Sequence, residues 1–407
     1  MKIPNLLPVA FLLLATSLPA NIENWPGWRG PRGDGSSLDP KVPVKWTVED
    51  NLVWKSPVPG KGHASPIIWE GRVYLVTAKE DSEQRTLLCL DRKTGKELWQ
   101  KDVLQSPLER VHRLNSRASS TPVTDGKRIY LSFLDRDSMF VSAYTMDGEE
   151  LWTQRPGPFS SKHGYCSSPI LWKEKVIING DHDGDAYLVA LDRKTGKEIW
   201  KTERPNKTRS YCTPIIRNIA GRNQMILSGS LCVASYDPDT GKQHWIVDGP
   251  TEQYVASLVY NGEYLFMTCG FPKRFMQAID PTGSGNVTKT HVKWSTTKGC
   301  SYVPSPISIG KYFLVVADNG VASCFDSKTG ERFWMERLPG DHNASLISAN
   351  GLAYFLSKRG DLTVIKPGPK FDIVAQNKIP EETNASPAIY NGQLFIRGDK
   401  HLYCIGG

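Results

Sequence analysis

Ala190-Leu191-Asp192-Arg193-Lys194-Thr195-Gly196-Lys197-Glu198-Ile199-Trp200 is a stretch that this chain writes several times over. An Asp stands eight positions before a Trp at Asp91 and Trp99, Asp192 and Trp200, Asp237 and Trp245, and Asp326 and Trp334, each time with Thr-Gly at the third and fourth positions after the Asp. Looser copies run from Ala143 to Trp152, one residue shorter, and from Ala278 to Trp294, where an insertion follows Asp280. The six tryptophans recur at intervals of 40 to 53 residues. A period in that range marks a repeat architecture.

Each copy reads as two strands joined by a hairpin. Leu87, Leu88 and Leu90 form the end of one strand. Asp-x-x-Thr-Gly is turn chemistry, because the carboxylate accepts from the backbone two residues on and Gly supplies a positive φ. A Trp at a constant place then fills the seam between neighbouring sheets, where a large ring buries most area. The same role falls to Trp54, which has no hairpin before it. Such matches specify a fold and leave function open.

Outward from the hairpin, every repeat has the same internal order. A lead-in such as Ala-Ser-Pro, Ser-Thr-Pro or Ser-Ser-Pro precedes a first strand, and an x-Gly turn follows, as at Glu70-Gly71, Asp125-Gly126 and Asn350-Gly351. Four strands in roughly 45 residues predict a propeller blade. Six complete blades end at Trp99, Trp152, Trp200, Trp245, Trp294 and Trp334. A seventh, His342 to Ile379, replaces the Trp stretch with Lys366-Pro367-Gly368-Pro369-Lys370-Phe371. The last piece, Asn384 to Ile405, supplies three strands, and the segment around Trp54 supplies the fourth. The expected fold is therefore an all-β, eight-bladed propeller closed by its N- and C-terminal strands, with seven blades as the alternative if the seventh unit is irregular.

With its kin, the Ala-x-Asp-x-x-Thr-Gly-Lys-Glu-x-Trp stretch resembles the tryptophan-docking repeat of the PQQ-type β-propellers, a family that holds both quinoprotein dehydrogenases and non-catalytic BamB-like scaffolds. The resemblance runs from about Trp46 to Gly407. For the enzyme branch it implies PQQ with calcium, an adjacent Cys pair, and a Glu, Asn and Asp on the metal beside a catalytic Asp. This chain has no Cys-Cys pair, and the loops leading into first strands hold few carboxylates, chiefly Asp341, Glu381 and Glu382. No catalytic residue carries over.

Residues 1–20 read as a signal peptide, with Lys2 before the apolar run Leu6 to Leu14 and small residues at Ala15, Ser17 and Ala20. No Cys precedes Cys89, so no lipid anchor is expected by the usual Leu-x-x-Cys route. Residues 21–45 form a Gly, Pro and Trp-rich arm expected to dock on the body, and residues 46–407 form the propeller. The reading is a periplasmic or extracellular monomer with no membrane span. The net charge of +8 comes from scattered residues and not from a basic stripe, which speaks against nucleic acid.

Among eight cysteines, Cys89, Cys324 and Cys404 share a register where other blades have Ala143, Ala190, Ser235 and Ala278. Cys166, Cys212 and Cys300 precede first strands, where a disulfide is one reading and a Cys/His site with His163 another. Asp181-His182-Asp183-Gly184-Asp185 is either a polar hairpin tip or a Ca²⁺ loop. No metal site is expected.

Aligned on the first-strand Pro or its equivalent, Tyr165, Tyr254, Tyr302 and His342 stand four before it, and Arg117, Arg209 and Gln253 five before. His63, Tyr211 and Asn384 stand three before, and His163 precedes the same strand of its blade. First strands are innermost in a propeller, so these residues ring the channel mouth. Aromatics and Arg are the side chains of a binding surface. The expected function is that of an exported, non-catalytic binding or scaffold protein recognising an envelope protein or small molecule there. The alternative is a PQQ- and calcium-dependent oxidoreductase acting on alcohols or sugars.

Overall fold

Ile67–Trp69, Arg72–Lys79, Gln84–Asp91 and Glu97–Gln105 pair antiparallel in that order, as the repeat predicts, and make blade one. The computed structural model describes residues 23–229 and 231–406, and the signal peptide read from residues 1–20 lies outside them. The two middle strands are buried along nearly their whole length because neighbouring blades cover both faces. That is why they read as continuous apolar runs and not as alternation. The outer strand is largely exposed. Among the described residues there are eight such sheets and a single short 3₁₀ turn, Glu80–Ser82. No helix among them is long and apolar enough to cross a membrane.

The ring closes at blade eight. Leu52–Pro57 pairs with His401–Ile405, placing Trp54 opposite Cys404, and completes the sheet begun by Ala388–Tyr390 and Gln393–Arg397. The core is divided among clusters that span adjacent blades, such as Ile67, Tyr74 and Leu87 of blade one with Ile129, Leu131 and Phe140 of blade two. Each sheet packs only on its neighbours, so the ring grows without a central core.

Every repeated tryptophan faces a small or sulfur-bearing residue on the third strand: Cys89, Ala143, Ala190, Ser235, Ala278, Cys324 and Cys404 oppose Trp99, Trp152, Trp200, Trp245, Trp294, Trp334 and Trp54. The ring then lies on the hairpin of the following blade. At Gly196 (φ 72°) an added Cβ would fall 2.7 Å from the Trp152 ring, so only Gly satisfies both the turn and the contact. The indole N–H donates to the residue after the turn's Asp: Trp54 to Arg92 O (2.8 Å), Trp152 to Arg193 O (3.1 Å) and Trp294 to Ser327 O (3.0 Å). The Asp holds that turn, since Asp192 Oδ1 accepts from Lys194 N, Thr195 N and Thr195 Oγ1.

Three blades depart from this pattern. The hairpin of blade two is one residue short, and among the described residues the indole N–H of Trp99 has no partner. In blade five the insertion after Asp280 sends Gly285–Asn286 to pair parallel with blade four's outer strand at Trp245 and Ile246. Trp245 becomes fully buried and donates to Gln224 Oε1 (2.7 Å), and Gln224 Nε2 reaches Pro281 O (3.0 Å) of the displaced turn. Blade seven has Ala375 opposite Val364, where the other blades have Trp. Trp46, the residue that follows the arm, is buried in the same cluster, and its backbone N–H donates to Asn377 Oδ1 (2.8 Å).

Residues 23–45 cross the end of the ring that carries the Asp-Gly hairpins. Trp25 exchanges two backbone hydrogen bonds with Ile68, Pro26 O accepts from Thr124 N, and Ser348 N donates to Gly35 O. Arg29 is buried and donates to Asp34 O (2.7 Å), Pro306 O (2.6 Å) and Leu346 O (3.3 Å), tying blades six and seven together.

Candidate functional site

A Ser or Thr stands directly before the first-strand Pro or its equivalent in every blade, and these hydroxyls stitch the channel wall. Ser65 N donates to Thr121 Oγ1 (3.0 Å), Thr121 N to Ser168 Oγ (2.9 Å), and Ser168 N to Thr213 Oγ1 (3.0 Å). The series resumes with Ser257 N to Ser305 Oγ (2.9 Å), Ser305 N to Ser345 Oγ (3.0 Å) and Ser345 N to Ser386 Oγ (2.8 Å). A short hydroxyl is required because each link joins adjacent innermost strands. In six of the eight blades the residue that follows is Pro, which offers no N–H to compete.

Above this collar the channel widens into a funnel of about 610 Å³. The residue three before the anchor lines it in all eight blades: His63, Ser119, Cys166, Tyr211, Val255, Val303, Asn343 and Asn384. Trp28 of the arm forms the floor, and its indole N–H donates to Ser257 Oγ (3.0 Å).

Six expected residues therefore meet at the funnel: His63, His163, Tyr211, Gln253, Tyr302 and Asn384. The other five turn away. Tyr165, Tyr254 and His342, four before the anchor, are buried in the blades, because consecutive residues of an extended segment point to opposite sides. Tyr165 shares a hydrogen bond with Ser132 Oγ (3.0 Å). Tyr302, also four before the anchor, is only half-buried and lies against Gly270, where an added Cβ would fall 2.2 Å from the Tyr302 Cβ. Arg117 is held by Glu80 (2.5 Å) and Glu109 O (3.1 Å), and Arg209 by Asp183 (2.7 Å).

The sequence reading missed two groups of lining residues. His112, Arg113, Leu114 and Asn115 come from the long loop into blade two, where the His112 and His163 rings meet edge to face at 5.0 Å. Phe271, Arg274, Asp318 and Lys358 come from tips joining second and third strands. Those tips have no repeated sequence, so alignment of the blades cannot find them. Only their position at the mouth end, opposite the Asp-Gly hairpins, would have pointed to them.

Burial, aided by the Arg397 guanidinium, lowers the His63 pKa to about 4. Burial with Arg209 nearby also lowers that of His163. Burial raises the Asp318 carboxyl above its ordinary value, against the pull of the Tyr302 N–H (3.0 Å) and Val303 N–H (3.1 Å) that donate to it. Arg113, Arg274 and Lys358 have no ion-pair partner among the described residues. The funnel thus joins three cations and several aromatic rings with the carboxylates of Asp318 and Asp341, and the imidazoles of His63 and His163 there are held below their ordinary pKa.

The donor set does not fit a calcium-held quinone. Asp318 and Asp341 are the carboxylates on the lining, and Asp318 already accepts from two backbone N–H groups. Among the described residues no three His, Cys, Asp or Glu side chains gather as a metal site. In the acidic run, Asp181 is paired with Arg204 (2.8 Å), Asp183 with Arg209 (2.7 Å) and Asp185 with Lys207 (2.6 Å), as a polar hairpin tip requires and a Ca²⁺ loop does not. All eight cysteines are free, so the disulfide reading for Cys166, Cys212 and Cys300 is corrected. Cys166 faces the funnel, whereas Cys212, one register position closer to its Pro, is buried.

A family profile described as outer membrane protein assembly factor BamB matches residues 44–135 and 85–336. BamB of Yersinia pestis is 20% identical over 378 residues, covering 91% of this chain and 81% of that protein. Quinohemoprotein alcohol dehydrogenase ADH IIB of Pseudomonas putida is 29% identical over 138 residues, 31% of this chain and 19% of its own length. The solved quinohemoprotein alcohol dehydrogenase of Comamonas testosteroni superimposes with a TM-score of 0.69 at 13% identity, covering 94% of this chain and 80% of that one. That likeness is one of fold. With the profile matched over more than half of its length, the chain belongs to the PQQ-like propeller family described by the outer membrane protein assembly factor BamB.

Proposed function

We propose that this chain is an exported, monomeric binding protein without catalysis of its own, organised as a leader (1–20), an arm (21–45) and a propeller (46–407). Its recognition face is the funnel. One observation supports the reading: aromatic rings (Tyr211, Tyr302, Phe271) and unpaired cations line a cavity of about 610 Å³ on a wall held by inter-blade hydrogen bonds. Rigid aromatic and cationic side chains in a concave site are what recognition needs. The assembly-factor description of the matched BamB proteins suggests an envelope protein as the partner, in the periplasm or outside the cell. We also infer that the seam tryptophans act as docking wedges between blades.

The test is capture of partners from an envelope extract by the mature protein and by Phe271→Ala with Tyr302→Ala, with melting temperature as the folding control. The expected result is a partner retained by the wild type and lost from the variant. Dye-linked oxidation of an alcohol or sugar by protein reconstituted with PQQ and calcium would overturn this reading in favour of an oxidoreductase.

A further inference from the structure

Blade four carries a fifth strand. Gly285–Asn286, from the insertion of blade five, pairs parallel with the outer strand Gln243–Asp248, and the chain stays beside it: Val287 N donates to Ile246 O (2.9 Å) and Asp248 N to Thr288 Oγ1 (2.9 Å). Val287 is buried in one cluster with Trp245, which is 0% exposed where Trp54, Trp152, Trp200 and Trp334 keep 7–8%. The outer edge of a blade can thus take one more strand and gain apolar burial from it. Among the described residues no strand pairs with any of the other seven outer edges.

An open edge pairs with any passing strand unless charge guards it. Six of those edges are guarded within their first four residues, by Glu97, Glu150, Glu198, Lys293, Arg332 and Lys55. Blade seven is the exception. Its outer strand, Ile373–Lys378, runs Ile-Val-Ala-Gln-Asn before the first charge, and that charge, Lys378, is tied to Asp361 (2.9 Å). Ile373 and Val374 stand 41% and 44% exposed. An uncharged run of this kind, free of Pro and Gly, is the composition that pairs with other strands. A cavity of about 500 Å³ lies beside it. The cavity touches Gln376, Asn377 and Lys378, and consecutive strand residues point to opposite faces, so it passes round the free edge and not over one face alone. Trp46 and Glu49 line it too, and the Trp46 indole N–H has no acceptor among the described residues.

We propose that blade seven's outer strand is a docking edge for an extended segment of a partner protein, uncharged and rich in β-branched residues, which joins the sheet as Gly285–Asn286 joins blade four. Main-chain hydrogen bonds along the edge supply affinity, and alternate side chains reach the two faces. The cavity at this edge shares no lining residue with the funnel, so the docking edge is a second surface that stands apart from the binding reading above.

Fluorescence anisotropy of a labelled peptide, Lys-Thr-Val-Thr-Val-Thr-Val-Thr-Lys, titrated with the mature protein tests it, with amide hydrogen exchange to locate the contact. Saturable binding is expected, with slowed exchange at residues 373–377. Replacing the two inner Thr of the peptide by Pro, which offers no N–H, should abolish it. Val374→Lys with Gln376→Lys restores guarding charge at exposed positions and should weaken binding about tenfold or more at an unchanged melting temperature. Leu98 and Gln100 flank Trp99 in blade one as Val374 and Gln376 flank Ala375, and Leu98→Lys with Gln100→Lys should leave binding as it was. No saturable binding, or binding that survives the blade-seven charges, overturns the inference. So does a wild-type dimer in sedimentation that those charges dissociate, because the occupant is then a second copy of this chain. Phe271→Ala with Tyr302→Ala should not change peptide binding, so this surface and the funnel can fail separately.

Discussion

The outer seam and the inner mouth of this ring are built from the same repeat under opposite rules. At the seam, Trp, Asp and Gly recur because they touch one another across blades: Trp152 lies on Gly196 and donates to Arg193 O, and a change on one side demands a change on the other. At the mouth, the position three before the anchor holds His63, Ser119, Cys166, Tyr211, Val255, Val303, Asn343 and Asn384 in the eight blades. Those side chains line the cavity and meet no repeated partner, so packing does not make them alike. Repetition therefore marks the scaffold, and variety at a constant register marks the surface free to serve function.

The largest effect is expected at the closure. Trp54→Ala removes a buried ring that lies on blade one's hairpin and should lower unfolding free energy by about 3–5 kcal/mol in urea denaturation. A loss below about 1 kcal/mol would break the claim that seam rings hold the circle. Next comes His342, whose pKa burial lowers from 6.5 to about 4. The folded state keeps this imidazole neutral while the unfolded chain takes up a proton below about pH 6.5. Its contribution is thus present above that pH and is lost as pH falls towards 4, on the order of 2–3 kcal/mol. His342→Gln should flatten the dependence of melting on pH over that window.

A smaller effect sharpens the comparison within the seam itself. Trp152→Phe removes an indole N–H that donates to Arg193 O, whereas Trp99→Phe removes one without a partner. The first should cost about 1 kcal/mol more than the second by differential denaturation. Equal costs would mean that the short hairpin of blade two does not matter. Smallest of all, Arg274→Gln with Lys358→Gln should leave stability within about 0.5 kcal/mol while altering ligand binding, since neither residue has an ion-pair partner. A large loss of stability would mean that the mouth belongs to the scaffold after all.

Legibility followed the same division. Asp192, Gly196 and Trp200 state the seam locally, because the turn, the positive φ and the ring lie within nine residues of one another. The count of strands then required Trp54 to complete the last blade, and it faces Cys404 there. The mouth was half legible. His63, Tyr211 and Asn384 line the funnel with His163 and Tyr302, while Tyr165, Tyr254 and His342 were placed one register position off and point into the blades. Arg117 and Arg209 are engaged by carboxylates distant in sequence, Glu80 and Asp183, which no alignment of repeats connects to them.

By itself the sequence determined the blade, its hairpin and the strand that closes the ring, because those depend on turn chemistry and on a period written into the chain, while the structure chose eight blades over the alternative of seven. Only the tertiary structure decided that Trp46 would enter the cluster where blade seven lacks its Trp, that Trp28 would floor the channel, and that Phe271, Arg274 and Lys358 would share one funnel. These contacts join residues far apart in the chain that follow no period, and they exist only once eight sheets stand around a common axis.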